Sequence, residues 1–179
     1  LLSLSRLQLV TGKAADALST AKSAREKFPQ EPAFLEVAGN AQLALGQAKD
    51  AVETFRSLVA LRPDIAQSHL LLARAYAAAS DRENHRKSLE SALAAEPKNL
   101  LARIGLARLA LGEQNLSQAV ALAGELKRDF PSVPAVQDLL GDVAMAQNRP
   151  AEALSSYRSA WEAAPNSAAT TKLARAQWL

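Results

Sequence analysis

Five prolines, Pro29, Pro63, Pro97, Pro131 and Pro165, stand 34 residues apart with no insertion or deletion between them. Proline lacks the amide N–H and its ring clashes with the preceding turn, so each member of this series marks a helix end. Three further prolines, Pro32, Pro134 and Pro150, lie outside the series. A chain punctuated in this way folds as repeats of one unit, each too short to bury its apolar face alone and each covered by its neighbour.

The letters between the prolines keep the same period. With each series proline counted as position 32, position 8 holds Ser5, Gly39, Ala73, Ala107 and Gly141, and position 20 holds Ala17, Ala51, His85, Ala119 and Ala153. Position 7 holds Leu4, Ala38, Leu72, Leu106 and Leu140; position 24 holds Ala21, Phe55, Leu89, Ala123 and Tyr157. Small residues at 8 and 20 let two antiparallel helices cross closely, while larger ones at 7, 24 and 28 fill the space between neighbouring pairs. Gly12 and Gly46 fall in the turn inside a unit, Pro32 and Pro150 suit first helical positions, and Ser80 with Glu83 has capping-box spacing. Composition points the same way. Aromatics are 4% of the chain, and Ala and Leu supply most of the 49% that is hydrophobic. That mixture favours closely packed helices and lacks the β-branched runs of strands.

This layout resembles the tetratricopeptide repeat. The resemblance covers the chain as units 1–31, 32–65, 66–99, 100–133 and 134–167 with a further helix over 168–179, in one domain. It implies an all-α fold, a right-handed α-α superhelical solenoid of 34-residue helix-turn-helix repeats. The fullest match is 134–167, with Leu140, Gly141, Ala153, Tyr157, Ala160 and Pro165. Two columns depart from the family. Its aromatic at position 4 is replaced by Leu1, Leu35, His69, Arg103 and Gln137, and its aromatic at position 11 survives only as Tyr76. In the last segment, one deletion in the preceding turn aligns Leu173 with position 7 and Arg175 with position 9. The start, LLSLSRLQLV, reads as the interior of a helix, so the expectation is a piece of a longer protein whose open ends can self-associate.

Catalytic constellations are not evident. The chain has no cysteine, which removes disulfides, thiol chemistry and zinc-finger sets. Its two histidines, His69 and His85, fall at packing positions 4 and 20 without a third ligand. His85 occupies an alanine position, so its ring is expected to lean outward or to hold the second helix off. Glu36 and Asp138 are three units apart, and the seven glycines form no phosphate-cradling loop. Asn115-Leu-Ser117 matches a glycosylation triplet and is read as chance. Trp161 and Trp178 could serve as ligand platforms, but packing explains Trp161 better. The expectation is no enzymatic activity, no cofactor and no metal. No apolar run reaches the length of a membrane span. The net charge of +3 spreads 21 basic among 18 acidic residues, which does not point to nucleic acid.

In the family, positions 2, 5, 9 and 12 of the first helices tend to face a concave groove. The resemblance therefore implies a row at position 9 of Arg6, Asn40, Arg74, Arg108, Asp142 and Arg175. Beside the middle of that row stand Leu70, Ile104 and Leu111. These nine are the candidate ligand-binding residues. A guanidinium can fork onto a carboxylate while apolar neighbours hold a side chain, which suits an acidic-amphipathic peptide or protein segment. An anionic polysaccharide is the alternative, and nucleic acid a weaker third. Each arginine could instead solvate its helix beside a carboxylate, and Leu70 and Ile104 could be inter-helix packing. Position 5 carries no Lys, which disfavours the clamp that chaperone-binding members close on a C-terminal carboxylate. The Ala- and Leu-rich texture is similar to bacterial tetratricopeptide proteins of the cell envelope, including lipoproteins attached to exopolysaccharide or exosortase-type systems. A periplasmic or outer-membrane-attached setting is the matching expectation.

Overall fold

The computed structural model describes residues 1–165 and 167–177. Trp178, considered above as a platform, lies outside the described residues. Among them the chain is helical throughout, in eleven helices: α1 (Leu2–Val10), α2 (Ala14–Lys27), α3 (Pro32–Ala44), α4 (Ala48–Leu61), α5 (Ala66–Ala78), α6 (Arg82–Ala95), α7 (Leu100–Gly112), α8 (Leu116–Asp129), α9 (Pro134–Ala146), α10 (Pro150–Ala163) and α11 (Ser167–Gln177). Every second helix stops two residues short of a series proline, as the missing N–H requires. Pro32, Pro134 and Pro150 each open a helix at its first position.

The helices sort into two compact units, 1–99 and 100–179. In the first, α3, α4 and α5 enclose Leu35, Phe55, Leu58, Leu71 and Tyr76, while α2 and α3 share Ala17, Ala21, Ala38 and Ala41. In the second, α7, α8 and α9 enclose Ile104, Ala107, Ala123, Leu126, Val136 and Leu139. Ala144, Ala153, Tyr157 and Ala176 join α9, α10 and α11. Each cluster belongs to consecutive helices, so the next hairpin completes the burial begun by the last.

Two pairs of columns interlock. The Phe55 ring on α4 abuts Gly39 of α3, and the Tyr157 ring on α10 abuts Gly141 of α9. A Cβ at either glycine would overlap the ring. The hairpin with Leu89 at position 24 needs no glycine and has Ala73 at position 8. Helix α6 packs along α5 despite His85 at position 20, and the ring is accommodated half-buried. Burial first, then the charge of Arg86, holds its imidazole below the ordinary histidine value.

The turn inside each hairpin has one left-handed residue, always at position 15: Gly12 (φ 78°), Gly46 (φ 74°), Ser80 (φ 60°), Gln114 (φ 60°) and Asn148 (φ 58°). This corrects the capping-box expectation. Ser80 is the turn residue, and Asp81 caps α6 by accepting from the Asn84 amide at 3.1 Å. Asn115 of the glycosylation triplet does the same for α8, accepting from Gln118 N at 3.2 Å. A side chain costs about 1 kcal/mol in this conformation. Gln114→Gly is therefore expected to raise stability by up to about 1 kcal/mol and Gly46→Ala to lower it by a similar amount. Urea midpoints check both.

The polar residues at position 4 have a job of their own. His69 Nε2 lies 2.7 Å from the Pro63 carbonyl oxygen, which can only accept, so that nitrogen bears the proton. Gln137 Nε2 donates to the Pro131 carbonyl at 2.6 Å. Arg103, its side chain 12% exposed, bonds Asp129 at 2.7 Å and lies over the Phe130 ring at 5.7 Å. Where the family places an aromatic, these side chains fasten the turn between repeats by hydrogen bonds.

Candidate functional site

Position 9 places one side chain per repeat on the face of the first helices. In the unit 1–99 these are Arg6 on α1, Asn40 on α3 and Arg74 on α5. Arg6 is exposed. Arg74 Nη2 donates to Asn40 Oδ1, a neutral acceptor. No carboxylate among the described residues pairs with it, and partial burial draws its pKa below the ordinary arginine value. It remains charged. Glu36, one turn before Asn40, is engaged with Arg62 at 3.4 Å. Leu70, one turn before Arg74, is half-buried.

The unit 100–179 treats its share of the row differently. Arg108 on α7 donates to Asp138 Oδ2 on α9 at 2.9 Å. Lys172 on α11 reaches the same oxygen at 2.8 Å and Asp142 Oδ2 at 2.7 Å. Tyr157 OH donates to Asp142 Oδ1 at 2.8 Å, and the Lys172 ammonium lies 5.6 Å from the Tyr157 ring centre. Burial, then the hydrogen bond to Asp142, pushes the Tyr157 phenol well above its ordinary value. Arg175 joins Asp142, Met145, Tyr157 and Lys172 around a cavity of about 270 Å³. Arg108 and Asp142 are thus partners in an internal charge network.

Ile104 leaves the candidate set. It is 4% exposed and packs in the core with Ala107, Val136 and Leu139, where an apolar side chain gains by leaving water. Leu111 is half-buried against that same core and lines an apolar cavity of about 200 Å³ with Gln114, Leu116 and Ala146. Lys172 and Asp138 join the site although sequence reading gave them no role. Lys172 lies three residues before Arg175 on α11, a spacing that puts both on one helix face and was the available signal. Trp161 is 37% exposed and donates from Nε1 to Thr170 Oγ1 of α11 at 3.1 Å, so it flanks that helix more than it fills space beneath it. Among the described residues no group of three or more His, Cys, Asp or Glu is placed to hold a metal ion, and no helix is long and apolar enough to cross a membrane.

The family description of the tetratricopeptide repeat-like domain matches residues 52–177, and that of the tetratricopeptide repeat matches 2–66. Among solved structures the chain is similar to TTC0263, a thermophilic TPR protein of Thermus thermophilus. The TM-score is 0.82 at 23% identity, over 99% of this chain and 97% of that one. It is similar to a chain of the APC/C hetero-tetramer Cut9–Hcn1, with TM-score 0.82 at 15% identity over 96% of this chain and 34% of that one. It is also similar to YrrB, described as a TPR protein with an unusual peptide-binding site, with TM-score 0.68 at 15% identity over 99% of this chain and 90% of that one. No protein with a curated description matches. At these identities the structural likenesses speak to the fold, an all-α tetratricopeptide solenoid. Together the two family matches run from residue 2 to residue 177, and the chain belongs to the tetratricopeptide repeat family.

Proposed function

We propose that this chain is a noncatalytic interaction scaffold that holds an acidic-amphipathic segment of a partner protein on its first-helix face, anchored at Arg74. The observation that carries this reading is the guanidinium of Arg74, whose partner among the described residues is the neutral amide of Asn40. A cation left without a carboxylate keeps its strongest hydrogen-bonding capacity for a ligand. Half-buried Leu70 and Leu43 supply apolar surface on the same helices, α5 and α3, and Arg6 adds a second exposed cation on α1. Arg108 contributes less, since Asp138 already occupies it. YrrB has a peptide-binding site on the same fold, which supports a peptide as the ligand class. The Ala- and Leu-rich texture supports a bacterial envelope setting of the exopolysaccharide or exosortase kind.

The test is anisotropy titration with a labelled helical peptide bearing Glu residues on one face and Leu on the other. Arg74→Glu is expected to weaken binding at least about tenfold, the scale of one charge-assisted contact. Arg108→Gln is expected to change it by less than about threefold. Equal affinity of wild type and Arg74→Glu for the peptide removes the reading. Stronger retention on an acidic polysaccharide, lost in Arg74→Glu, transfers the anchor to the sugar-polymer alternative.

A further inference from the structure

The second-helix side of the unit 100–179 carries a groove of about 310 Å³ between α8 and α10, floored by α9. Ala123, Gly124 and Lys127 form one wall, Leu140 and Ala144 the floor, and Ser156 the far wall. The repeat register explains why this space is open. Gly124 is position 25 and Ala144 is position 11 of the following repeat. At the α4–α5 step of the unit 1–99 the same two positions are Arg56 and Tyr76, and there the chain fills the space itself. Tyr76 is 7% exposed, Arg56 Nε donates to its hydroxyl at 2.9 Å, and the guanidinium lies 5.7 Å from the ring centre. Between α8 and α10 both fillers are missing, while the walls that would receive them remain.

We infer that this groove is a docking site for a partner segment that inserts one tyrosine side chain beside a carboxylate. The occupant follows from the chain's own Tyr76, which shows what fits between these helices at this register. A phenol matches the lining, with Leu140 and Ala144 for the ring and Ser156 for the hydroxyl. The volume is at the small end of ligand pockets, about 300 Å³ and upward, and takes one aromatic side chain with its backbone. Charge complementarity supplies the neighbour. Lys127 is exposed on the rim without a carboxylate partner among the described residues, whereas Glu152 across the groove faces Arg149 at 3.6 Å. This site is independent of the Arg74 anchor.

The experiment records amide shifts of the intact, labelled chain titrated with N-acetyl-tyrosinamide and with short Asp-Tyr and Lys-Tyr peptides. Saturable shifts centred on Gly124, Ala144 and Ser156 are expected, with the Asp-Tyr peptide binding at least about threefold tighter. Gly124→Arg with Ala144→Tyr rebuilds the filler pair. A Cβ at Gly124 meets nothing within 4 Å, whereas Ala144 is buried beside Ala153 and Tyr157, so Gly124→Arg alone is expected to melt no lower than wild type, and the pair is expected to lose the shifts. Lys127→Glu, an exposed change, is expected to reverse the preference to the Lys-Tyr peptide. Absence of shifts at the groove, shifts that persist in the filled variant, or a preference unmoved by Lys127→Glu each overturns the inference. Arg74→Glu leaves these shifts intact, which keeps the outcome separate from that of the first-helix anchor.

Discussion

Phe55→Ala is expected to cost about 3–5 kcal/mol, the largest single-residue loss in the unit 1–99. The ring is fully buried among Leu35, Leu58, Leu71 and Tyr76, and it lies against Gly39 with no room for an added carbon. Removing it opens a cavity that α3, α4 and α5 all line. Gly39→Ala attacks the same contact from the other side and is expected to cost about 1–3 kcal/mol by overpacking. The informative variant is the pair Gly39→Ala with Phe55→Leu, which reproduces Ala73 and Leu89 of the next hairpin. Its cost is expected to fall below the sum of the single changes by about 1 kcal/mol or more, a coupling read from a double-mutant cycle in urea. Strict additivity would mean that the ring and the glycine do not constrain each other.

The second large effect belongs to the network of Tyr157, Asp142 and Lys172. Asp142→Ala removes the acceptor of a buried phenol and one of two carboxylates beside Lys172, and is expected to cost about 2–3 kcal/mol. The same network makes stability depend on alkaline pH. The folded Tyr157 pKa is raised, so the folded state holds the phenol's proton more tightly than the unfolded chain does. Its contribution is complete below the ordinary tyrosine value, about 10, and is lost as pH rises from there through the raised folded value. Unfolding free energy is expected to fall by up to about 1.4 kcal/mol per pH unit over that window. Tyr157→Phe should lack this component. Parallel urea titrations of the two proteins above about pH 10 check it; identical slopes would refute it.

The architecture was legible because the series prolines fix helix ends by removing a donor, and 34-residue spacing then fixes register. Other features needed two columns read together. Gly39 with Phe55 and Gly141 with Tyr157 are one volume divided two ways, yet each column alone says only small or large. Ser80 was open to a capping reading because its own neighbours allow one; the column it shares with Gly12 and Gly46 marks it as the left-handed turn residue. The charges of the site were least legible. Position 9 gives the face on which an arginine stands, but pairing depends on partners 30 or 34 residues away. Thus Arg108 found Asp138, Lys172 found both Asp138 and Asp142, and Arg74 found the neutral Asn40. Position 5 shows the same limit: Glu36 and Asp138 are half-buried and held by Arg62 and by Arg108 with Lys172, while Ile104, in the same column, is buried in the core.

The reciprocal sizes at positions 8 and 24 also bear on how such a chain can be shuffled. A genetic crossover at a series proline exchanges whole hairpins and leaves every ring with its own glycine. A crossover in the turn at position 15 recombines halves. Joining the helix of Ala73 to that of Phe55 sets a methyl against a ring, and joining the helix of Gly39 to that of Leu89 leaves a void. Chimeras cut at Pro63 are therefore expected to express as folded protein and those cut at Gly46 or Ser80 to lose stability, which makes the hairpin the unit of inheritance as well as of packing.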